Sequence, residues 1–87
     1  MAWRIEISET ARRSLSKLDR AAAKRITSFL RERLAVSPNP RILGKPLHGP
    51  LRQYWRYRIG DYRLICDIQD QVMRILVLDA GNRKDIY

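Results

Sequence analysis

The sequence has very few residues that hold metals or form cross-links. It contains one cysteine and one histidine, Cys66 and His48, in 87 residues. One cysteine cannot form an internal disulfide, and these two residues cannot supply the four ligands of a structural zinc site. The carboxylates are scattered and do not have the spacing of a metal site. We therefore expect a domain without a disulfide, a metal or another cofactor.

Long apolar runs are also missing. No stretch approaches the run of about 18 apolar residues that a membrane span needs. The first residues, MAWRIE, are charged from position 4 and do not resemble a signal peptide. A chain of this length cannot divide into two independent cores. We therefore expect a single domain over residues 1–87, located in the cytoplasm and not in a membrane.

Acidic residues are few compared with basic ones. Nine Asp and Glu stand against 18 Lys and Arg, which gives a formal net charge of +9. A field of this sign attracts polyanions. Solubility alone is a weaker explanation, because acidic residues serve solubility better than basic ones. The balance of charge favours nucleic acid as a partner.

The first half of the chain has the pattern of one strand and two helices. Residues 3–7 alternate apolar and charged, as a half-buried strand does. Ser8 and Asp19 are good N-cap residues, and the apolar positions after them keep helical spacing as far as Leu34. The prolines of segment 37–40 end this helical hairpin. A loop rich in glycine and proline follows.

The second half alternates with a period of two from Leu51 onward. It predicts strands over residues 51–59, 63–68 and 72–78, with a two-residue turn at Gly60-Asp61. The expected fold is α+β: an N-terminal strand, a helical hairpin and a three-stranded antiparallel meander, with the helices packed on one sheet face. The position of the first strand in the sheet stays open.

Strand pairing follows from the two turns. The first turn places Ile59 opposite Tyr62, and so Arg58 opposite Arg63. A second turn centred on Asp70-Gln71 would place Ile65 opposite Leu76 and Leu64 opposite Val77. One face then forms the core with Trp55, Tyr57, Leu64, Cys66, Ile68, Met73, Ile75 and Val77.

The other face of the predicted sheet is basic. It collects Arg52, Tyr54, Arg56, Arg58, Arg63 and Arg74. Arginines directly opposed across a sheet repel one another, so their placement implies an anion that neutralises them.

Three segments of the chain resemble the RelE/ParE toxin superfamily. They are LHGPL at 47–51, YWRYRIGDYRL at 54–64 and GNRKDIY at 81–87, and the order of elements is similar too. The resemblance implies a RelE-like fold, similar to microbial RNases, over essentially the whole chain. It also implies the toxin of a type II toxin–antitoxin system, a metal-independent endonuclease that cleaves mRNA in the ribosomal A site and inhibits translation.

The resemblance also implies which residues act in the cleavage. Carried over by position, Arg63 and Arg83 hold the scissile phosphate, and Arg56 and Arg58 orient the backbone and offset developing charge. Tyr87 stacks on a base or relays a proton. Family members often carry lysine at the positions of Arg56 and Arg58, and arginine is a poor proton donor or acceptor. The general base is therefore not identified.

Further residues are expected to bind RNA or to be structural. Arg52, Tyr54, Arg74 and Lys84 are expected to contact RNA, with Tyr54 stacking on a base. The isolated His48 is predicted to be a surface loop residue, and Cys66 a small buried hydrophobic residue.

The resemblance implies a set of partners as well. A cognate antitoxin would cover the basic surface with an acidic or amphipathic segment and form a hetero-oligomer with the toxin. The ribosome and mRNA are the other expected partners. Two alternatives remain: a ParE-like toxin that inhibits DNA gyrase without cleaving anything, and a non-catalytic module that binds nucleic acid. Arg63, Arg83 and Tyr87 favour the nuclease, and turnover distinguishes the three.

Overall fold

The fold is a helical layer on one face of a five-stranded sheet. A computed structural model describes residues 2–82, with strand β1 (Arg4–Ile7) and helices α1 (Glu9–Ser16) and α2 (Arg20–Phe29). The further strands are β2 (Lys45–Pro46), β3 (Tyr54–Ile59), β4 (Tyr62–Gln69) and β5 (Arg74–Asn82), in the spatial order β1-β5-β4-β3-β2. The expected α+β class is confirmed. No helix within residues 2–82 is long and apolar enough to cross a membrane.

Both helices begin at their predicted caps. The Ser8 hydroxyl accepts a hydrogen bond from the Ala11 amide at 3.0 Å, and the Asp19 carboxylate accepts one from the Ala22 amide at 2.7 Å. Each such cap satisfies an amide of the first turn and contributes about 1 kcal/mol. A wider helical turn, Leu30–Leu34, continues α2. The hairpin thus ends where the sequence predicts.

The core lies between the helices and the predicted inner face of the sheet. The helical layer contributes the buried side chains of Ala11, Ile26, Leu30 and Leu34, and the sheet contributes Tyr57, Leu64, Cys66, Ile68, Ile75 and Val77. Trp55 and Met73 are partly buried against this cluster. Fully burying a large apolar side chain contributes roughly 1.5–3 kcal/mol. This core therefore determines which face of each strand turns outward.

The β3–β4 hairpin has the predicted register. Ile59 lies opposite Tyr62, and Arg58 lies opposite Arg63. Gly60 occupies the first turn position with φ of 59°, in the left-handed region that glycine adopts without steric cost. The turn chemistry therefore sets the pairing of the two arginines.

The register predicted for β4 and β5 is wrong. Leu64 lies opposite Ala80 instead of Val77, and the pair predicted for Ile65 and Leu76 is displaced in the same way. β5 consequently extends beyond the predicted end of the last strand, as far as Asn82.

Two local features cause this displacement. The connection is longer than a two-residue turn, because Asp70–Val72 form a 3-10 turn and Met73 adopts a left-handed φ of 48°. Gln69 therefore pairs with Arg74. A bulge beside Ile65 then shifts the register once more, as an extra residue in one strand does.

The edges of the sheet complete the topology. β1, whose position the sequence left open, pairs in parallel with β5 at one edge. β2, which was not predicted, forms the other edge, with Lys45 opposite Arg56 and Pro46 opposite Trp55. Proline is tolerated there because an edge strand needs hydrogen bonds on one side only.

β3 begins later than predicted. Gly49–Leu51 form a 3-10 turn that Arg52 caps, and the strand starts at Tyr54. Arg52 itself has helical backbone angles, with φ of −63° and ψ of −14°, outside the range of a regular strand. The placement of Arg52 on the strand face is therefore wrong.

The loop before β2 is attached to the rest of the fold at two points. The Tyr57 hydroxyl, inside the core, donates a hydrogen bond to the Pro40 carbonyl at 2.9 Å. The Arg41 guanidinium donates to both carboxylate oxygens of Asp70 at 2.9 and 2.6 Å, and lies 5.8 Å from the centre of the Trp55 ring. The loop is thereby held against β3.

These contacts shift the pKa values of the groups involved. Burial raises the pKa of the Tyr57 hydroxyl above its ordinary range. The hydrogen bonds from Arg41 lower the pKa of Asp70, and the same bonds raise the pKa of Arg41. The tyrosine therefore stays neutral and the ion pair stays charged at neutral pH.

Replacing Tyr57 with phenylalanine should destabilise the protein by about 1–2 kcal/mol, because the Pro40 carbonyl loses its buried donor. Urea unfolding followed by circular dichroism measures the change. Tyr54→Phe removes a hydroxyl from the same strand outside the core and serves as the control. Equal losses in the two variants would contradict this role of the Tyr57 hydroxyl.

Asp70→Asn should lower stability at pH 7 by about 0.2–1 kcal/mol, the ordinary range of an exposed ion pair. A carboxyl with a pKa lowered on folding stabilises the fold above its unfolded pKa of about 3.9. That contribution is lost as the pH falls through the folded-state pKa, so parent and variant should converge in acid. Urea unfolding at pH 7 and in steps below pH 4 tests this, with Asp61→Asn as the control; a difference that persists unchanged in acid would refute it.

Candidate nucleic-acid interface

A pocket of about 300 Å³ opens where β2, β3 and the beginning of β4 lie side by side. Four cationic side chains line it: Lys45, Arg56, Arg58 and Arg63. Loop residues Ile42, Leu43 and Gly44, together with Tyr57, complete the lining. We refer to this cavity as the arginine pocket.

Strand pairing brings the four cations together. Lys45 is the partner of Arg56, and Arg58 is the partner of Arg63. Residues directly opposite on antiparallel strands have Cβ atoms about 4.5–5.5 Å apart, and alternate residues of one strand lie about 7 Å apart. All four side chains therefore start from a patch small enough to surround one phosphate group.

The arginine pocket places several positive charges close together at a solvent-exposed surface. Arg58 and Lys45 are exposed, and Arg56 and Arg63 are half-buried. The Arg58 Nε donates a hydrogen bond to the Gly60 carbonyl at 3.4 Å, which directs this side chain back over the hairpin turn. Like charges placed opposite each other across strands are destabilising, and guanidinium groups bind phosphate oxygens bidentately. The arrangement suits the binding of an anion.

The structure brings together part of the predicted catalytic set. Arg56, Arg58 and Arg63 all line the arginine pocket. Arg83 and Tyr87, together with the predicted RNA contact Lys84, lie outside the described residues. Their roles stay predictions.

Tyr54 extends the interface along β3. It lies two residues before Arg56, on the same side of the strand, and its partner on β4 is Asp67. Tyr54 is half-buried, so part of the residue remains exposed. Arg52 is exposed in the turn that precedes the strand. Of these two predicted RNA contacts, Tyr54 shares a face with the arginine pocket.

Arg74 lies at the opposite end of the sheet. Its partner on β4 is Gln69, six positions from Arg63, which corresponds to roughly 20 Å along a strand. The Arg74 guanidinium donates to the Gln69 side-chain oxygen at 2.5 Å and forms an ion pair with Glu6 at 3.3 Å. The structure therefore does not bring Arg74 to the pocket.

Lys45 is the pocket residue that the sequence analysis missed. It belongs to a strand of two residues that includes a proline. Alternation over so short a segment gives no strand signal, because the pattern needs about four residues. The surrounding glycines and prolines indicate only a loop.

Cys66 and His48, which were predicted to have no part in the site, lie where the sequence predicts. Cys66 is buried in the core, and burial raises the pKa of its thiol. His48 is exposed in the loop after β2 and does not line the arginine pocket. Within residues 2–82, no three His, Cys, Asp or Glu side chains are grouped so as to hold a metal ion.

Comparison with known proteins identifies a family that this chain matches. A family model described as the ParE toxin of the type II toxin–antitoxin system parDE matches residues 5–87. Toxin RelG of Mycobacterium tuberculosis is 33% identical over 87 residues, which cover all of this chain and 98% of RelG. Toxin RelE of the same organism is 32% identical over 85 residues, covering 98% of this chain and 86% of that toxin.

The fold is similar to that of a chain in a solved toxin–antitoxin complex. A chain in the crystal structure of the toxin–antitoxin complex RelBE2 from Mycobacterium tuberculosis superposes with a TM-score of 0.87 and 29% sequence identity. The superposition covers 95% of this chain and 100% of the other. The family match and the matches to the two relatives all extend over the strands that line the arginine pocket. This chain therefore belongs to the RelE/ParE toxin superfamily, as a RelE-family toxin of a type II toxin–antitoxin system.

Proposed function

We propose that this toxin is a metal-independent RNA endonuclease that cleaves mRNA in the ribosomal A site and so inhibits translation. The observation that carries the proposal is the convergence of Lys45, Arg56, Arg58 and Arg63 on one pocket of about 300 Å³. A pocket lined by four cations suits a phosphate of a nucleic-acid backbone.

The cationic lining suits the chemistry of RNA cleavage. The 2′-hydroxyl of the preceding nucleotide attacks the phosphorus atom, and the bond to the 5′-oxygen breaks, which leaves a 2′,3′-cyclic phosphate and a 5′-hydroxyl. Negative charge grows on the phosphoryl oxygens in the transition state, and fixed cations stabilise it. Arg63, with Arg83, holds the scissile phosphate, and Arg56 and Arg58 orient the backbone and stabilise the developing charge.

Tyr54 gives the proposed interface a place for a base. Aromatic rings beside a cationic groove stack on unpaired bases, and such stacking contributes about 1–3 kcal/mol per base. Tyr54 lies on the same strand and side as Arg56. The mRNA backbone would cross the arginine pocket while a neighbouring base stacks on Tyr54.

A cognate antitoxin is the proposed inhibitor. The similar RelBE2 chain was solved in a complex of toxin with antitoxin. A net charge of +9 favours a partner with an acidic or amphipathic segment, because complementary charge speeds association and excludes wrong partners. Such a segment would cover the arginine pocket in a hetero-oligomer and so keep RNA out.

A second candidate function comes from the family description. The matching family model is that of the ParE toxin. Resemblance of this chain to ParE toxins implies inhibition of DNA gyrase without cleavage of nucleic acid. A cluster of cations could also serve a non-catalytic module that only binds nucleic acid. Both alternatives lack turnover, which makes the rate of RNA cleavage the decisive measurement.

Arg63→Ala should slow cleavage of mRNA on programmed ribosomes by about 10²–10³-fold, because one fixed cation at the developing charge is lost. Primer extension maps the new 5′ ends at the A-site codon, with naked mRNA as a reference. Arg13→Ala removes the same charge from an exposed position on α1 and should cut at the parent rate.

Equal rates for folded Arg63→Ala and the parent would show that the pocket is not the catalytic site. An intact message after incubation with the folded parent would reject the nuclease. Inhibition of gyrase supercoiling by that same preparation would then favour the second candidate.

A further inference from the structure

RNA cleavage by the 2′-hydroxyl requires a proton for the departing 5′-oxygen, and most of the arginine pocket cannot supply it. Arg56, Arg58 and Arg63 carry guanidinium groups, which do not release a proton in proteins. The Tyr57 hydroxyl is committed to the Pro40 carbonyl inside the core. Among the side chains that line the pocket within residues 2–82, Lys45 is the remaining group with a transferable proton.

Several contacts hold the backbone of Lys45 at the pocket. Its partner on β3 is Arg56, and the Leu47 amide donates to the Tyr54 carbonyl at 3.0 Å directly after β2. Gly44 packs so closely that a Cβ atom there would lie 2.6 Å from the Arg56 carbonyl oxygen. The chain on both sides of Lys45 is therefore fixed against β3.

The loop contacts described above fix the approach to β2 as well. Pro40 is held by Tyr57, and Arg41 is held by the carboxylate of Asp70. These bonds tie the loop to the core and to the β4–β5 turn. Lys45 itself is exposed, so its ammonium group can reach a phosphate bound in the pocket without losing a buried contact.

We propose that Lys45 is the general acid of the cleavage reaction, an inference that rests on the proposed nuclease function. The bond between O2′ and phosphorus forms as the bond between phosphorus and O5′ breaks. The proton of the 2′-hydroxyl passes to solvent water, and the Lys45 ammonium gives a proton to O5′. The neutral amine then regains its proton from water.

The role of acid fits the chemistry of a lysine side chain. A lysine ammonium group carries three N–H donors, any of which can supply the proton that the leaving oxygen needs. General acid catalysis contributes typically 10²–10⁴-fold. Arginine at this position would keep the charge and remove the proton transfer, which separates the two contributions of the side chain.

The test uses ribosomes programmed with two mRNAs that differ at the scissile linkage. One carries the natural 5′-oxygen, and the other carries a bridging 5′-sulfur, which leaves readily without a proton. Lys45→Arg should cut the oxygen linkage at least 10²-fold more slowly than the parent and cut the sulfur linkage close to the parent rate. Lys17→Arg, the same change at the end of α1, should match the parent on both.

Each other outcome has a definite meaning. A parent rate of Lys45→Arg on the oxygen linkage would overturn the proposal, and Lys45→Ala measured beside it would then report the contribution of charge alone. Equal slowing of Lys45→Arg on both linkages would also overturn it, because a disturbed site does not distinguish sulfur from oxygen. Failure of the parent to cut either linkage would instead reject the nuclease itself, and the acid role with it.

Discussion

The opposition of Arg58 and Arg63 across the β3–β4 hairpin is the constraint on which the site depends. Two like charges on facing residues disfavour strand pairing by a few tenths of a kcal/mol to about 1 kcal/mol. The inner face of the same strands offsets this cost, because Tyr57 and Leu64 form the next pair and both are fully buried. A slip of one residue would expose the core, so burial on one face keeps the cations together on the other.

The same logic explains which parts of the fold were predictable. The β3–β4 register follows from a two-residue turn with glycine at its first position. Both the length of this turn and its glycine can be read directly from the sequence. The β4–β5 register cannot be read in this way, because Met73 adopts a left-handed conformation that is rare outside glycine and a bulge follows beside Ile65. Between the turn and the bulge, the predicted β4–β5 register is wrong by two residues. A shift by an even number of residues leaves each side chain on its predicted face, so Ile75 and Val77 still lie on the inner face.

The sequence predicted which basic residues are neighbours where they share one hairpin, but it did not predict how far apart residues lie along the sheet. Alternation assigned Arg74 to the correct face, but it carries no information on how far apart two residues of that face lie. Lys45 was missed for another reason. Its strand is created by tertiary contacts, the close approach of Gly44 and the anchored loop, and not by a local propensity.

The short β2 strand also protects the sheet from self-association. An open edge offers unpaired amide and carbonyl groups to any extended chain, and natural sheets guard such edges with short strands, lysine and proline. β2 has all three features, since it is two residues long and consists of Lys45 and Pro46. A second copy of the toxin would meet both a missing amide and a repelling charge there. The sheet edge beside the arginine pocket therefore disfavours strand pairing between two copies of the toxin.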